Sequence, residues 1–209
     1  MKAYLTIEKE AVCETVIKKS RFIGAVYPVE TPEAAASKLS EVKKKYWDAK
    51  HNCSAMIIGA YASAMRFSDD GEPQGTAGMP MLEVLKMSGL TNVLAIVTRY
   101  FGGVLLGAGG LVRAYAGSVS DALNAAQKIE MQPGLLYRLK LPYASYSRLE
   151  AIAAAGGYAK GETVFGEDVQ AELTVPAQLQ KRFESEVSEA FLGSVDPVLY
   201  GETYLKIRK

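Results

Sequence analysis

The sequence predicts an α+β protein of two domains, on three observations. Short β-type runs and helical patterns interleave along all 209 residues. A polar stretch with adjacent Pro133 and Gly134 interrupts them near residue 130. Beyond it the elements follow the order βαββαβ, the ferredoxin-like arrangement. Domains of 1–130 and 135–209 are expected, and 49% apolar residues suffice to fill a core in each.

In chain order, YLTI, AVCETVI and RFIGAVYPV alternate and are β-branched enough to read as strands. A helix starts near Pro32. Thr31 is its candidate cap, Pro32 its first residue, Ala35, Leu39, Val42 and Tyr46 its buried face, and Lys43, Lys44 and Lys45 suit its negative end. CSAMIIGAY and AMRFS read as two more strands. A short helix, MLEVLKMSG, follows from about Pro80 and closes on Gly89. VLAIVTRYF has five successive apolar residues and so reads as a strand buried on both faces. After GGVLLGAGG a long helix is expected, with Val112, Tyr115, Val119, Ala122 and Ala126 inward and Arg113, Ser120, Asn124 and Gln127 outward.

KIEMQPGL, residues 128–135, reads as a linker. The second domain then runs as strand LLYRLKLPY, helix SYSRLEAIAAAGG, strands YAKGETVFG and DVQAELTVP, helix AQLQKRFESEVSEAFLG and strand VLYGETYLKI. Leu179, Phe183, Val187 and Phe191 line up on the last helix.

Charge excludes a polycation: 15 basic and 13 acidic residues precede Pro133, and 9 and 10 follow it. Nucleic-acid contact therefore requires a local patch. The opening MKAYLTIEKEAV carries charges where a secretory leader needs an apolar run, so a cytoplasmic protein with Cys13 and Cys53 as free thiols is expected. No apolar run approaches the ~18 residues that span a bilayer.

Five motifs offer chemistry. In SDDGEPQGTAGMP, residues 68–80, Asp69, Asp70 and Glu72 suit either a hard cation or a turn. The following Gly75, Thr76 and Gly78 suit either an anion at a helix start or a plain cap, with Thr76 capping and Pro80 opening the helix. RYFGGVLLGAGGLVRAY places Arg99, Gly102, Gly103, Gly109, Gly110 and Arg113 around another helix start; these residues bind a phosphate or carboxylate, or else Arg99 pairs with Asp69 or Asp70 and the glycines serve packing. Neither GxGxxG nor GxxxxGK is present in that segment, which counts against a dinucleotide or P-loop enzyme. His51 and Cys53 share a strand face. One histidine and two cysteines assemble neither a catalytic triad nor a four-ligand zinc site, so these two read as a hydrogen-bonded histidine beside a buried thiol. KKSRF offers Lys18, Lys19 and Arg21 to phosphate backbones, or forms a solvated strand edge.

KKSRF, HNC, SDDGEPQGTAG, RYFGG and GAGGLVRAY, in this order and spacing, resemble the YigZ and IMPACT family of bacterial proteins and a eukaryotic translational regulator. The resemblance implies a first domain similar to the second domain of ribosomal protein S5. It implies a ferredoxin-like second domain similar to a C-terminal domain of elongation factor G. The eukaryotic relative regulates translation by protein contact, competing for the activator of a starvation-sensing kinase. By analogy the expectation is a non-enzymatic regulatory protein of the translation machinery with no cofactor and no metal. It would bind ribosome, RNA or a translation-associated protein through Lys18, Lys19, Arg21, Arg99, Arg113 and the glycine loops. The alternative is an enzyme acting on a phosphorylated small molecule or nucleotide, with Mg²⁺ on the acids of residues 69–72.

Overall fold

The computed structural model describes residues 1–207; residues 208 and 209, the end of the expected second domain, lie outside the described residues. The chain divides into two compact units, Lys2–Glu130 and Met131–Ile207. Among the described residues no helix is long and apolar enough to cross a membrane.

The first unit opens with β1 (Tyr4–Ile7), β2 (Ala11–Ile17) and β3 (Ser20–Pro28), then α1 (Pro32–Lys45), β4 (His51–Ile58), β5 (Ala64–Ser68), α2 (Gly78–Ser88), β6 (Val93–Tyr100) and α3 (Ala108–Ala125). Its five-stranded sheet has the order β2-β3-β6-β4-β5, with every neighbouring pair antiparallel. The strand period of two decides which residues meet which helices. Phe22, Val26, Cys53, Ala55, Val93, Ala95 and Val97 join the core built with α2 and α3. Their alternates Ala25, Tyr27, Met56, Ile58, Leu94 and Ile96 join the core under α1 with Ala35 and Val42. Helices on both faces explain why β4 and β6 bury their residues almost throughout.

Local signals hold at α1, where the Thr31 hydroxyl accepts the Ala34 N–H at 3.1 Å, and at α2, where Gly89 takes the left-handed conformation of a C-cap. Two expectations fail. α2 begins at Gly78 rather than near Pro80, and no side chain at Ala77 caps it. On α3 Val112 is exposed and Leu111 is buried, because the inward face runs Leu111, Ala114, Tyr115, Ser118, Val119 and Ala122, one position off from Val112.

Gly24 is the point of closest approach between α3 and the sheet. A Cβ there would overlap the Ser118 carbonyl oxygen, so the helix rests on β3 only because this strand residue has no side chain.

The second unit takes up most of β7 (Lys128–Leu141) and continues with α4 (Tyr143–Gly156), β8 (Ala159–Phe165), β9 (Val169–Pro176), a 3₁₀ turn at Ala177–Leu179, α5 (Gln180–Phe191) and β10 (Val198–Ile207). The expected linker at 128–135 is thus the opening of a strand. Pro133 is tolerated because it has no N–H to give and the ladder with β9 begins only at Gly134 opposite Pro176. β7 lies between β9 and β10 and β8 flanks β9, the sheet order of a βαββαβ fold. Phe183 packs against Tyr137 and Tyr158 with ring centroids 4.9 and 5.1 Å apart. Those tyrosines donate to Glu184 and Glu186, so their hydroxyls are satisfied at the edge of an otherwise apolar core.

Gly24→Ala is expected to destabilise the first unit by about 1–3 kcal/mol through overpacking. Gly117→Ala in α3 adds a Cβ that meets nothing within 4 Å and is expected to stabilise the first unit by about 0.5–1 kcal/mol. Urea denaturation of both variants measures the contrast.

Candidate functional site

β2 and β3 are joined by a two-residue turn in which Lys18 and Lys19 both adopt positive φ, 45° and 67°, after the Ile17–Ser20 pair. This turn exposes both lysines. Gly102 packs so tightly on it that a Cβ would overlap the Lys19 carbonyl, and its N–H donates to Ser20 Oγ at 3.2 Å. The hairpin tip and the loop after β6 are therefore one unit. Arg21 is not a free cation: it forms a two-pronged pair with Glu14 at 2.7 and 2.8 Å and lies over the Tyr100 ring. The reason is register, since Glu14 and Arg21 sit diagonally across the β2–β3 ladder.

The acidic loop folds inward. Asp69 Oδ1 accepts the N–H groups of Ala77 and Gly78 at 3.1 and 2.8 Å, and Oδ2 accepts that of Gly75 at 2.9 Å. Asp69 therefore does what the sequence assigned to Thr76 or to a bound anion: a carboxylate from nine residues upstream fills the N-terminus of α2. Thr76 instead donates to the Pro73 carbonyl. Gly75 takes a φ of 77°, and Gly78 leaves no room for a side chain, with a Cβ 2.8 Å from the Ser68 backbone. Asp70 bonds Lys43 at 2.6 Å and the Asn52 N–H at 2.7 Å. Burial pushes its carboxyl up, and those two donors outweigh the push and hold it below its ordinary value.

Glu72 is the acid that meets Arg99. The sequence expected Asp69 or Asp70, but both of those turn their oxygens to backbone amides or to Lys43. Arg99 Nη1 donates to Glu72 Oε1 at 2.6 Å, with the two side chains only 6% and 3% exposed. Tyr115 donates to the same oxygen at 2.7 Å, and burial pushes its phenol well above the usual range. Arg99 Nη2 reaches Ser20 Oγ at 3.4 Å, and the guanidinium lies between the rings of Phe22 and Phe101 at 5.4 and 5.5 Å. Its Nε has no hydrogen-bond partner.

His51, paired opposite Arg99 across β4 and β6, sets Nδ1 2.8 Å from the Asp70 carbonyl oxygen, which makes Nδ1 the protonated nitrogen. Its Nε2 stands 3.9 Å from Glu72. Cys53 is fully buried and donates to the Asp69 carbonyl at 3.0 Å, and burial pushes its thiol up to about 12. It is a core thiol, not a nucleophile. Among the described residues no three His, Cys, Asp or Glu side chains converge on a metal position.

A cleft of about 370 Å³ joins the two motifs. Glu72 and Pro73 come from the acidic loop, Arg99 and Phe101 from the end of β6, and Gly107 and Ala108 from the start of α3. Gly103, with φ 81°, lies in the connecting loop, and Gly109 and Gly110 lie in the first turn of α3. Arg113 is exposed one turn further on and does not line the cleft. Ser20 and Tyr115 went unremarked as site residues in the sequence. The signal for Tyr115 was a phenol on a wholly buried helix face, which requires a polar partner.

Residues 18–123 match the Impact N-terminal domain, and residues 139–194 match a domain of unknown function, DUF1949. The IMPACT family member YvyE of Bacillus subtilis is 39% identical over 98% of this chain and 94% of its own length. The chain belongs to the IMPACT family. The family member YigZ of Escherichia coli is 38% identical over 86% of this chain and 89% of its own. A crystal structure described as that of a hypothetical protein aligns with a TM-score of 0.67 at 33% identity, over 96% of this chain and 98% of that one. The first match spans every motif from Lys18 to Arg113, so the network around Arg99 lies wholly within the Impact N-terminal domain of this family member.

Glu72→Gln leaves the Arg99 charge buried without its counter-charge and is expected to cost about 3–5 kcal/mol in denaturant unfolding. In native protein a thiol reagent is expected to modify the partly exposed Cys13 and spare Cys53 until the chain unfolds, as mass spectrometry of the labelled protein would show.

Proposed function

We propose that this IMPACT family member is a non-enzymatic regulatory protein of the translation machinery that binds ribosomal or other RNA through the end of the first unit where the β2–β3 turn lies. One observation carries the reading: the motif's reactive groups are consumed internally while cations at the same end remain exposed. Asp69 and Asp70 accept backbone N–H groups, Cys53 donates to a backbone carbonyl, and Glu72 and Arg99 pair with each other. Lys18 and Lys19 project from a turn pinned by Gly102. α3 starts at the end where that turn lies, since Ser118 lies on Gly24 and the earlier Tyr115 on Phe22, so the exposed Arg113 falls at the same end. Phe101, 46% exposed beside this turn, offers a ring for base stacking. The resemblance to a eukaryotic translational regulator supports the same process.

The enzymatic alternative is not favoured, because Asp69 and Asp70 have both oxygens committed to backbone amides or Lys43 rather than turned toward the cleft.

Co-sedimentation with ribosomes tests the proposal. Three phosphate contacts to single-stranded RNA predict a slope of log affinity against log salt of about −2, a loss of about 15- to 20-fold between ~50 and ~200 mM salt. Replacing Lys18, Lys19 and Arg113 by glutamate is expected to abolish binding and leave the fold intact. Failure to co-sediment at the lowest salt, or binding indifferent to salt and to these substitutions, overturns the RNA interface.

A further inference from the structure

The only tryptophan of the chain, Trp47, is 81% exposed. It sits in the turn after α1, between Tyr46, which packs against the core under that helix, and Asp48, which accepts a bond from the Tyr100 hydroxyl at 2.8 Å. That bond fixes the place of the turn, because Tyr100 ends β6 and pairs with Arg21 at the start of β3. Trp47 therefore lies at the end of the first unit that carries the β2–β3 turn. By the strand period of two, Tyr100 shares the α1 face of β6 with Leu94 and Ile96, while Phe101 meets the Arg99 guanidinium on the other face. Lys50 lines the same cleft as Phe101, so residues 47–50 wrap around the end of β6 from one face to the other.

The charge around these rings is one-sided. Lys44, Lys45 and Lys50 are exposed, and among the described residues none of them forms an ion pair. The neighbouring acids are taken: Glu41 by Lys38, Asp70 by Lys43 and Glu14 by Arg21. Asp48 is matched by a hydroxyl rather than a cation, and the unpaired lysines outnumber it. A single exposed apolar side chain calls for no explanation, but here an exposed tryptophan, a half-exposed Phe101 and an exposed Leu105 gather at one end of the unit among unpaired cations.

We propose that the RNA bound at this end is single-stranded and that one of its unpaired bases stacks on Trp47, with Phe101 taking another base across the end of β6 and the three lysines setting a positive field along the phosphates. The inference rests on the RNA reading above and adds to it the form of the ligand and the residue that grips a base. Charge complementarity selects a polyanion. The exposed rings choose among polyanions: a duplex keeps its bases stacked inside and presents phosphates and ribose hydroxyls, which need no ring, whereas an unpaired base offers a π-face to any aromatic plane.

Because Trp47 is the only tryptophan, its fluorescence reports its own contacts in the whole chain. A dye-labelled oligouridine of ~12 nucleotides, followed by anisotropy, measures affinity alongside it, with an RNA duplex of the same length as the contrast. The oligouridine is expected to quench Trp47 saturably, over the same concentrations that raise the anisotropy, and to bind more tightly than the duplex. Trp47→Ala is expected to weaken oligouridine binding by about fivefold or more, with thermal stability kept and the salt slope unchanged, since no charge is removed. Trp47→Phe keeps a ring and is expected to recover part of the loss. Oligouridine binding without a change in Trp47 emission, or with unchanged affinity in Trp47→Ala, overturns the stacking role and leaves the RNA interface standing. A duplex bound as tightly as oligouridine overturns the single-stranded assignment, and no binding of either RNA overturns this inference together with the reading beneath it.

Discussion

The ion pair between Arg99 and Glu72 is the constraint around which the first unit is arranged. Taking two charges out of water costs several kcal/mol per ion, and Coulomb attraction alone repays that only with good geometry and further hydrogen bonds. Here the supplements are visible. Tyr115 donates a second bond to the Glu72 oxygen, Ser20 accepts from the guanidinium, and two aromatic rings cover its faces. Each partner comes from a different element: the loop after β5, the start of β3, the end of β6 and the middle of α3. The buried charge thereby joins four segments distant in sequence through groups that must stay paired.

That demand explains the loop. A buried pair needs Glu72 to arrive from one direction, so residues 69–71 must be held, and they are held by their own polar groups. The Asp69 carboxylate ties the loop to the start of α2, its carbonyl accepts from Cys53, and the Asp70 carbonyl faces His51. Asp70 accepts the left-handed φ of 43° and fastens to α1 through Lys43. His51 and Cys53 are then better understood as brackets of this loop than as chemistry. Both meet backbone carbonyls, the acceptors that a thiol and a protonated ring nitrogen can satisfy without ionising.

The fold was largely legible because its elements announce themselves locally. Thr31 and Pro32 open α1, Gly89 closes α2, and five apolar residues in succession require the two-sided burial that β6 has. The second domain's element order was readable for the same reason. What misled was local chemistry overridden by tertiary context. Gln132, Pro133 and Gly134 look like a break, yet the β9 ladder starts only where the proline has passed. Thr76 looks like a cap, yet a carboxylate from the preceding loop takes the amides first. The members of the site could be named from sequence, since glycines beside arginines and acids mark backbone that something must approach. Their pairing could not. Asp69, Asp70 and Glu72 are interchangeable acids in a string of letters, and only the turn between them decides which one points at Arg99.

The two helix starts show how one physical device can serve two ends. A helix N-terminus carries unsatisfied donors and a partial positive charge, and a folded chain answers that demand from within, from water or from a ligand. At α2 the answer is internal and rigid, because Asp69 is covalently part of the loop and its three bonds cost no association entropy. At α3 the flanking residues are glycine, leucine and alanine, none able to supply an acceptor, and the nearest acid is already committed to Arg99. The first turn of α3, with Ala108 and Gly109 exposed, leaves its amides to solvent instead.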